Sequence, residues 1–287
     1  MIHNRPLVFL SLILSSSAFA CSSNKGNDAT GSSSPVYNVG TGGGGGGGGI
    51  VEALQPDGSL LIQGIIRDFH NTYPDMEPCT SNNPPKSCDS QHNEQHPQCE
   101  STSECIVATT LGADGKPQYA GNPTSGTLST TGKANFANWF NDASSNMSKG
   151  LAIPLSPDGT GTYTYKNLFF FPIDGQLFGN EGTDGNGNSH NYNFTTEWHL
   201  QFTYQTGQTF NFHGDDDLWV FIDGKLQIDL GGIHAGQDAS LSLDTLGFAA
   251  GSNHNFDIFY CERHVTQSEI EIQTTIQFTG STGVVVN

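Results

Sequence analysis

The chain has 287 residues, with 10 Lys+Arg against 28 Asp+Glu, a formal net charge of −18, and only 13% charged residues, about half the usual share. So acidic a surface repels phosphate backbones, which excludes nucleic acid as a partner, and no apolar run approaches the ~18 residues of a membrane span. Little Lys, Glu and Ala beside many Thr, Tyr and Phe argues against a helical protein.

Met1–Ala20 reads as a secretory signal peptide: Arg5, the apolar run Leu7–Leu14, then Ala18-Phe19-Ala20. Cys21 follows at once, as in the lipobox of bacterial lipoproteins. The expected location is a bacterial cell envelope with a lipid on Cys21 as the sole membrane contact. Plain secretion after cleavage at Ala20 is the alternative. Residues 21–57 are Ser-, Asn- and Gly-rich and include eight consecutive glycines, Gly42–Gly49, a flexible tether without side chains to bury. The folded domain is expected over residues 58–282.

Leu60-Leu61-Ile62 and Ile65-Ile66 open that domain. Cys79, Cys88, Cys99 and Cys105 then crowd into a Pro-, Asn- and Ser-rich stretch, with Cys261 far downstream. In an oxidising compartment these five are disulfide candidates, and their connectivity stays open. The first four are separated by eight, ten and five residues with no C-x-x-C, which argues against zinc. A short helix is expected at Ala134–Asn141.

From there the chain alternates with period two. In Phe194–Tyr204 one face carries Thr196, Trp198, Leu200, Phe202 and Tyr204, and the other Glu197, His199, Gln201 and Thr203. Leu168–Phe171 and Leu218–Ile222 are continuously apolar. Leu241 and Leu243 alternate, as do Phe256, Ile258 and Tyr260, and Ile270–Phe278 reads as one long final strand. Turn residues such as Asp223-Gly224 and Gly251-Ser252-Asn253 fill the gaps. The pattern predicts an all-β fold, an antiparallel β-sandwich or barrel, behind an N-terminal extension that bears disulfides.

The densest polar cluster is Asp215-Asp216-Asp217, directly before the apolar strand. Three adjacent carboxylates form either a solvated acidic turn or a site for a hard cation, which takes oxygens at ~2.3–2.6 Å. Strand alternation would send Asp215 and Asp217 to one face and Asp216 to the other. His234 and His264 are candidates to line the same rim. Arg263, in a chain so poor in cations, is expected to form a structural ion pair, with Asp217 among the candidate partners. Asp184-Gly-Asn186-Gly-Asn188 opens like a calcium loop but lacks its glycine and closing glutamate, where Ser189 and Thr195 stand, and is read as a plain loop. Trp198 and Trp219 fall in strand patterns and are read as core, Trp219 also being kept as a ligand candidate. Neither G-x-S-x-G nor H-E-x-x-H occurs, so no catalytic residue is assigned.

GDDDLWVFIDGKLQIDLGGIHAG (214–236) resembles the fibro-slime domain family, as do IIRDFHNTYPDMEP (65–78), LFFFPIDG (168–175), NFTTEWHLQFTYQTGQTFNFHGDDD (193–217) and ERHVTQSEIEIQT (262–274). That family is known from secreted and surface proteins of slime-forming bacteria and from prespore-cell-inducing proteins of social amoebae. The same segment looks like the protective-antigen-type β-sandwich superfamily, which includes flocculin lectins. In those lectins two adjacent Asp residues joined by a cis peptide hold calcium, which binds sugar hydroxyls, together with an Asn from a neighbouring loop. The resemblance implies that Asp215 and Asp216, with Asp217 adjacent, hold calcium. Asn253, Asn255 and Asn193 are the Asn candidates by type. The expected function is a non-catalytic module that binds calcium and extracellular glycans or matrix polysaccharide in adhesion. The alternatives are a structural matrix protein in which calcium only stabilises the fold, and a glycoside-acting hydrolase.

Overall fold

The computed structural model describes residues 53–76, 106–124, 129–265 and 267–282. The expected signal peptide, Cys21, most of the tether, and Cys79, Cys88, Cys99 and Cys105 lie outside these residues.

The described chain forms β1 (Leu60–Phe69), β2 (Val107–Leu111), β3 (Pro117–Tyr119), α1 (Lys133–Phe136), β4 (Asn146–Pro157), β5 (Tyr163–Asn167), β6 (Gly182–Thr183), β7 (Ser189–His190), β8 (Phe194–Thr203), β9 (Thr209–Gly214), β10 (Asp217–Ile222), β11 (Lys225–Leu230), β12 (Gln237–Ser242), β13 (Asn253–Glu262), β14 (Ile270–Thr274) and β15 (Phe278–Thr282). The first sheet runs β4-β1-β8-β13-β10-β11-β2-β3, with β15 also on β8. The second runs β12-β9-β14-β5, and β4 joins the two. The pairings are antiparallel throughout. This is the all-β architecture expected. The fold starts earlier than residue 58: Ala53 is buried in the main core and its carbonyl accepts from Leu61 N.

Alternation decides which side chains meet. On β8, Phe194, Trp198, Leu200 and Phe202 face the second sheet, where Phe210, Phe212, Ile270 and Ile272 complete the main core. β10 is buried along its whole length because both its faces are covered. Leu218, Val220 and Ile222 enter the main core, while Trp219 and Phe221 join an outer aromatic cluster with Phe69, Tyr73, Phe136, Trp139, Phe140 and Phe259. A layer from residues 69–76, 106–111 and 136–140 thus caps the back of the first sheet. The turn closing β10–β11 has positive φ at both Asp223 (49°) and Gly224 (71°), the conformation that Asp-Gly favours in two-residue hairpins.

Several expectations are corrected. The helix spans Lys133–Phe136 only. Ile270–Phe278 is two strands, β14 and β15, which pair with different partners. The apolar run Leu168–Phe171 lies past the end of β5 at Asn167, and only Phe170 of it enters the main core. Cys261 is a free, buried cysteine among the described residues, packed into the outer cluster because strand alternation turns it toward that cap.

The cap also buries the polar face of β8. Glu197 accepts from Arg67 Nη1 at 2.8 Å and from Lys116 Nζ. His199 lies between Asp257 (Nδ1 to Oδ1, 2.7 Å) and Glu197 (Nε2 to Oε2, 3.3 Å). Burial alone would lower the His199 pKa, but these two carboxylates push it up to about 9; burial would raise Glu197, but His199, Lys116 and Arg67 hold it down to about 2. Since His199 is raised above its unfolded value of about 6.5, its contribution is complete below that pH and lost as pH rises through about 9. Wild type should therefore exceed His199→Gln in melting temperature by the most near pH ~6 and by far less near pH ~9.5. An equal gap at both ends would contradict this account.

Candidate functional site

The acidic triplet sits where the chain leaves the second sheet at Gly214, the end of β9, and enters the first at Asp217, the start of β10. The peptide between Asp215 and Asp216 is cis. Gly214 admits no side chain: a Cβ there would lie 2.5 Å from the Glu269 carbonyl and 2.8 Å from the Phe212 ring.

The three carboxylates have different partners. Asp215 Oδ1 accepts from Glu269 N at 2.7 Å. Asp216 accepts from His234 N at 3.1 Å and Arg263 N at 2.9 Å, one on each oxygen. Asp217 is committed to a structural ion pair. Its oxygens take Arg263 Nε at 2.6 Å and Nη2 at 3.0 Å, and Gly232 N at 2.6 Å. Arg263 spends its remaining donors on Ser129 O, Ser129 Oγ and Asp75 O, and its guanidinium lies 4.7 Å from the centre of the Trp139 ring. One fully buried arginine therefore bolts the cap to the strand that carries the triplet.

That leaves Asp215 and Asp216 as the pair without a cation of their own. They are 4% and 5% exposed. Burial, and then the charge of Glu269, push Asp215 up to about 7. Burial and the neighbouring Asp215 push Asp216 well above the usual carboxylate range, against the pull of Arg263. Glu262 is a third member that the sequence reading passed over. Cys261 pairs with Asp217, which places Glu262 beside Asp216. Burial and the charges of Asp216 and Asp215 raise its pKa as well.

The other candidates divide by position. His234 is at this end, but its ring is turned inward, with Nδ1 3.0 Å from Ala235 O and Nε2 3.2 Å from Leu230 O. Its contribution to the site is its backbone N–H. His264 is partly buried, its pKa lowered by burial, and its N–H donates to Glu262. Trp219 is fully buried and donates Nε1–H to Asp229 at 2.8 Å, so it offers no surface to a ligand. Asn253 and Asn255 begin β13, whose Phe256 pairs with Ile222. They sit beside Asp223, about 20 Å along β10 from the acidic pair. Asn193, next to the β8 end that pairs with Glu262, has a buried carboxamide whose oxygen and nitrogen have no hydrogen-bond partner among the described residues. Asp184 spends its carboxylate on Asn186 N, Asn188 N and Asn188 Nδ2, a self-contained turn.

Comparison with known proteins adds the family context. Residues 157–284 match the family profile of the PA14 domain. Psi proteins of Dictyostelium discoideum are similar over a longer stretch. PsiR is 40% identical over 185 residues, 60% of this chain and 18% of its own length. PsiD is 39% identical over 191 residues, 62% of this chain and 37% of its own. PsiI is 47% identical over 130 residues, 44% of this chain and 18% of its own. The chain thus spans well under half the length of these relatives. Among solved structures, a GH31 alpha-xylosidase from Xanthomonas citri aligns over 66% of this chain and 19% of its own at 11% identity, with a TM-score of 0.25, too slight a likeness to carry an argument. The psi relatives are eukaryotic proteins, which overturns the expected bacterial envelope and the lipid anchor that went with it. The chain is thus an antiparallel β-protein that matches the PA14 domain over residues 157–284 and is similar over a longer stretch to part of the psi proteins.

Proposed function

We propose that this chain is a non-catalytic extracellular module that holds calcium at Asp215 and Asp216 and binds glycans through it, in adhesion or in an extracellular matrix. The observation that carries the reading is the buried Asp215–Asp216 pair, fixed by three backbone N–H groups while the nearby arginine is consumed by Asp217. The donors are carboxylate oxygens, the ligands that calcium prefers. Two uncompensated carboxylates in a desolvated place are costly unless protonated or met by a cation.

Among the described residues no group of three or more His, Cys, Asp and Glu side chains forms a metal cage. An ion at the pair would complete its shell with other oxygens, which is the opening through which sugar hydroxyls enter. Bound there, calcium would supply a local positive charge on an acidic protein, so that electron-rich hydroxyls are attracted where the bare surface would repel anions. Glu269, His234 and Arg263 orient the carboxylates through their backbone amides. Membership of carbohydrate-binding proteins in the PA14 superfamily supports the same reading. The low exposure of the pair favours one alternative, calcium that only stabilises the fold.

A glycan array probed with the full chain, with and without chelator, separates the two. Sugar binding that disappears on chelation supports the proposal. Calcium-dependent stabilisation with no sugar retained at any calcium level supports the structural alternative.

A further inference from the structure

Four large hydrophobic side chains are exposed among the described residues, and two of them are neighbours, Leu168 at 48% and Phe169 at 72%. Both follow β5. Asn167 and Gly214 each pair with Ile270 across β14, so β5 and β9 end level with each other, two strand spacings or roughly 10 Å apart. The exposed pair therefore lies at the same end of the sandwich as the acidic triplet.

The connection is also direct. Phe170 N donates to Ser268 O at 2.9 Å, and Ser268 Oγ donates back to Phe170 O at 2.8 Å. The next residue, Glu269, donates its N–H to Asp215 Oδ1. The segment carrying Phe169 is thus clamped to the segment that orients Asp215.

Its neighbours hold Phe169 outward. The Phe170 ring is packed in the main core, 5.9 Å from Phe194 and 5.9 Å from Tyr260. The Phe171 ring stacks on His190 at 3.9 Å. Phe169 N donates to Asn167 Oδ1 and its carbonyl accepts from Phe171 N. Backbone and flanking rings are fixed, while the Phe169 ring has no aromatic partner among the described residues. The backbone of Phe169 is held in place while its ring faces outward, so a ligand that packs on it meets a surface whose anchoring is already made.

We infer that Phe169, with Leu168 beside it, is the platform on which the C–H face of a neutral hexopyranose packs while the sugar's hydroxyls, or those of the adjoining residue of an oligosaccharide, reach the Asp215–Asp216 pair. This rests on the reading proposed above. A sugar has an apolar face and a hydroxyl edge, and this end of the sandwich carries an aromatic ring and the acidic pair just beyond strand ends roughly 10 Å apart. Neutral sugars are favoured over uronates because the surrounding surface is acidic. An anionic membrane is disfavoured on the same ground.

The test uses the full chain, Phe169→Ala and Phe169→Trp. Calorimetry reads calcium first, then methyl hexopyranosides of the gluco, galacto and manno series and their disaccharides at saturating calcium. The expected result is unchanged calcium affinity in both variants, sugar affinity weakened about tenfold or more in Phe169→Ala, and sugar affinity kept or improved in Phe169→Trp. Calcium binding with sugar affinity unaffected by Phe169→Ala overturns the platform while leaving the proposed function standing. Calcium binding with no sugar bound by wild type overturns both. Calcium-dependent sedimentation with phosphatidylcholine vesicles, lost in Phe169→Ala, would assign the ring to a membrane and overturn the platform.

Discussion

Replacing Arg263 with methionine is expected to destabilise the fold by about 3–5 kcal/mol, the usual cost of stripping one partner from a buried ion pair. Arg263 and Asp217 are both fully buried. Removing the guanidinium leaves Asp217 charged in a dry site, frees Ser129 and Asp75 carbonyls, and unlinks the cap through Trp139. Lysine does not substitute, because a point charge cannot hold both Asp217 oxygens and the Ser129 carbonyl in one plane. The double change Arg263→Met with Asp217→Leu removes both charges and should recover a large part of the loss. Denaturant midpoints of the three variants check this. A single-variant loss below about 1 kcal/mol would show that the pair is not what secures this end of β10.

The second large effect concerns the acidic pair. Asp215→Asn with Asp216→Asn keeps the shape and removes the charge, but leaves one acceptor oxygen where Asp216 uses two, for His234 N and Arg263 N. Wild type at a calcium concentration of 100 times Kd should gain about 2.7 kcal/mol, and the double variant should gain none. Without calcium, relief of two buried like charges offsets the backbone acceptor lost at Asp216, so the double variant should stay within about 1–2 kcal/mol of wild type. The measurement is a melting series with and without added calcium. A variant that still gains stability from calcium would place the ion elsewhere. A variant much weaker than wild type without calcium would mean that the carboxylates themselves hold the loop.

How far the sequence carries depends on whether a feature is local. The period-two alternation of β8, the doubly apolar β10 and the Asp-Gly turn at Asp223-Gly224 were readable because strand geometry and turn chemistry act over a few residues. The failures share a non-local cause. Glu197 and His199 stand on the polar face of β8, where nothing local signals burial, yet Arg67, Lys116 and Asp257 from distant parts of the chain pair with them in a buried cluster. Leu168–Phe171 has the apolarity of a core strand, yet β14 ends its pairing with β5 at Asn167, leaving Phe170 inside and Phe169 out. Asn253 and Asn255 have the right type for an oxygen ligand, but antiparallel pairing of β13 with β10 carries them to the far end of the sheet. The same pairing brings Glu262 to Asp216, a neighbour 46 residues away that no spacing rule signals. Within the triplet, the resemblance set Asp215 and Asp216 apart and the scarcity of cations pointed to an Arg263 ion pair, and the fold supplies Asp217 as its partner.

The most direct measurement is a calorimetric titration of calcium into the full chain, beside the Asp215→Asn, Asp216→Asn variant. The account predicts one ion bound with Kd no weaker than about 10⁻⁴–10⁻³ M, the range of extracellular modules, and no binding in the variant. No heat of binding in wild type, or the same isotherm in both proteins, would contradict it.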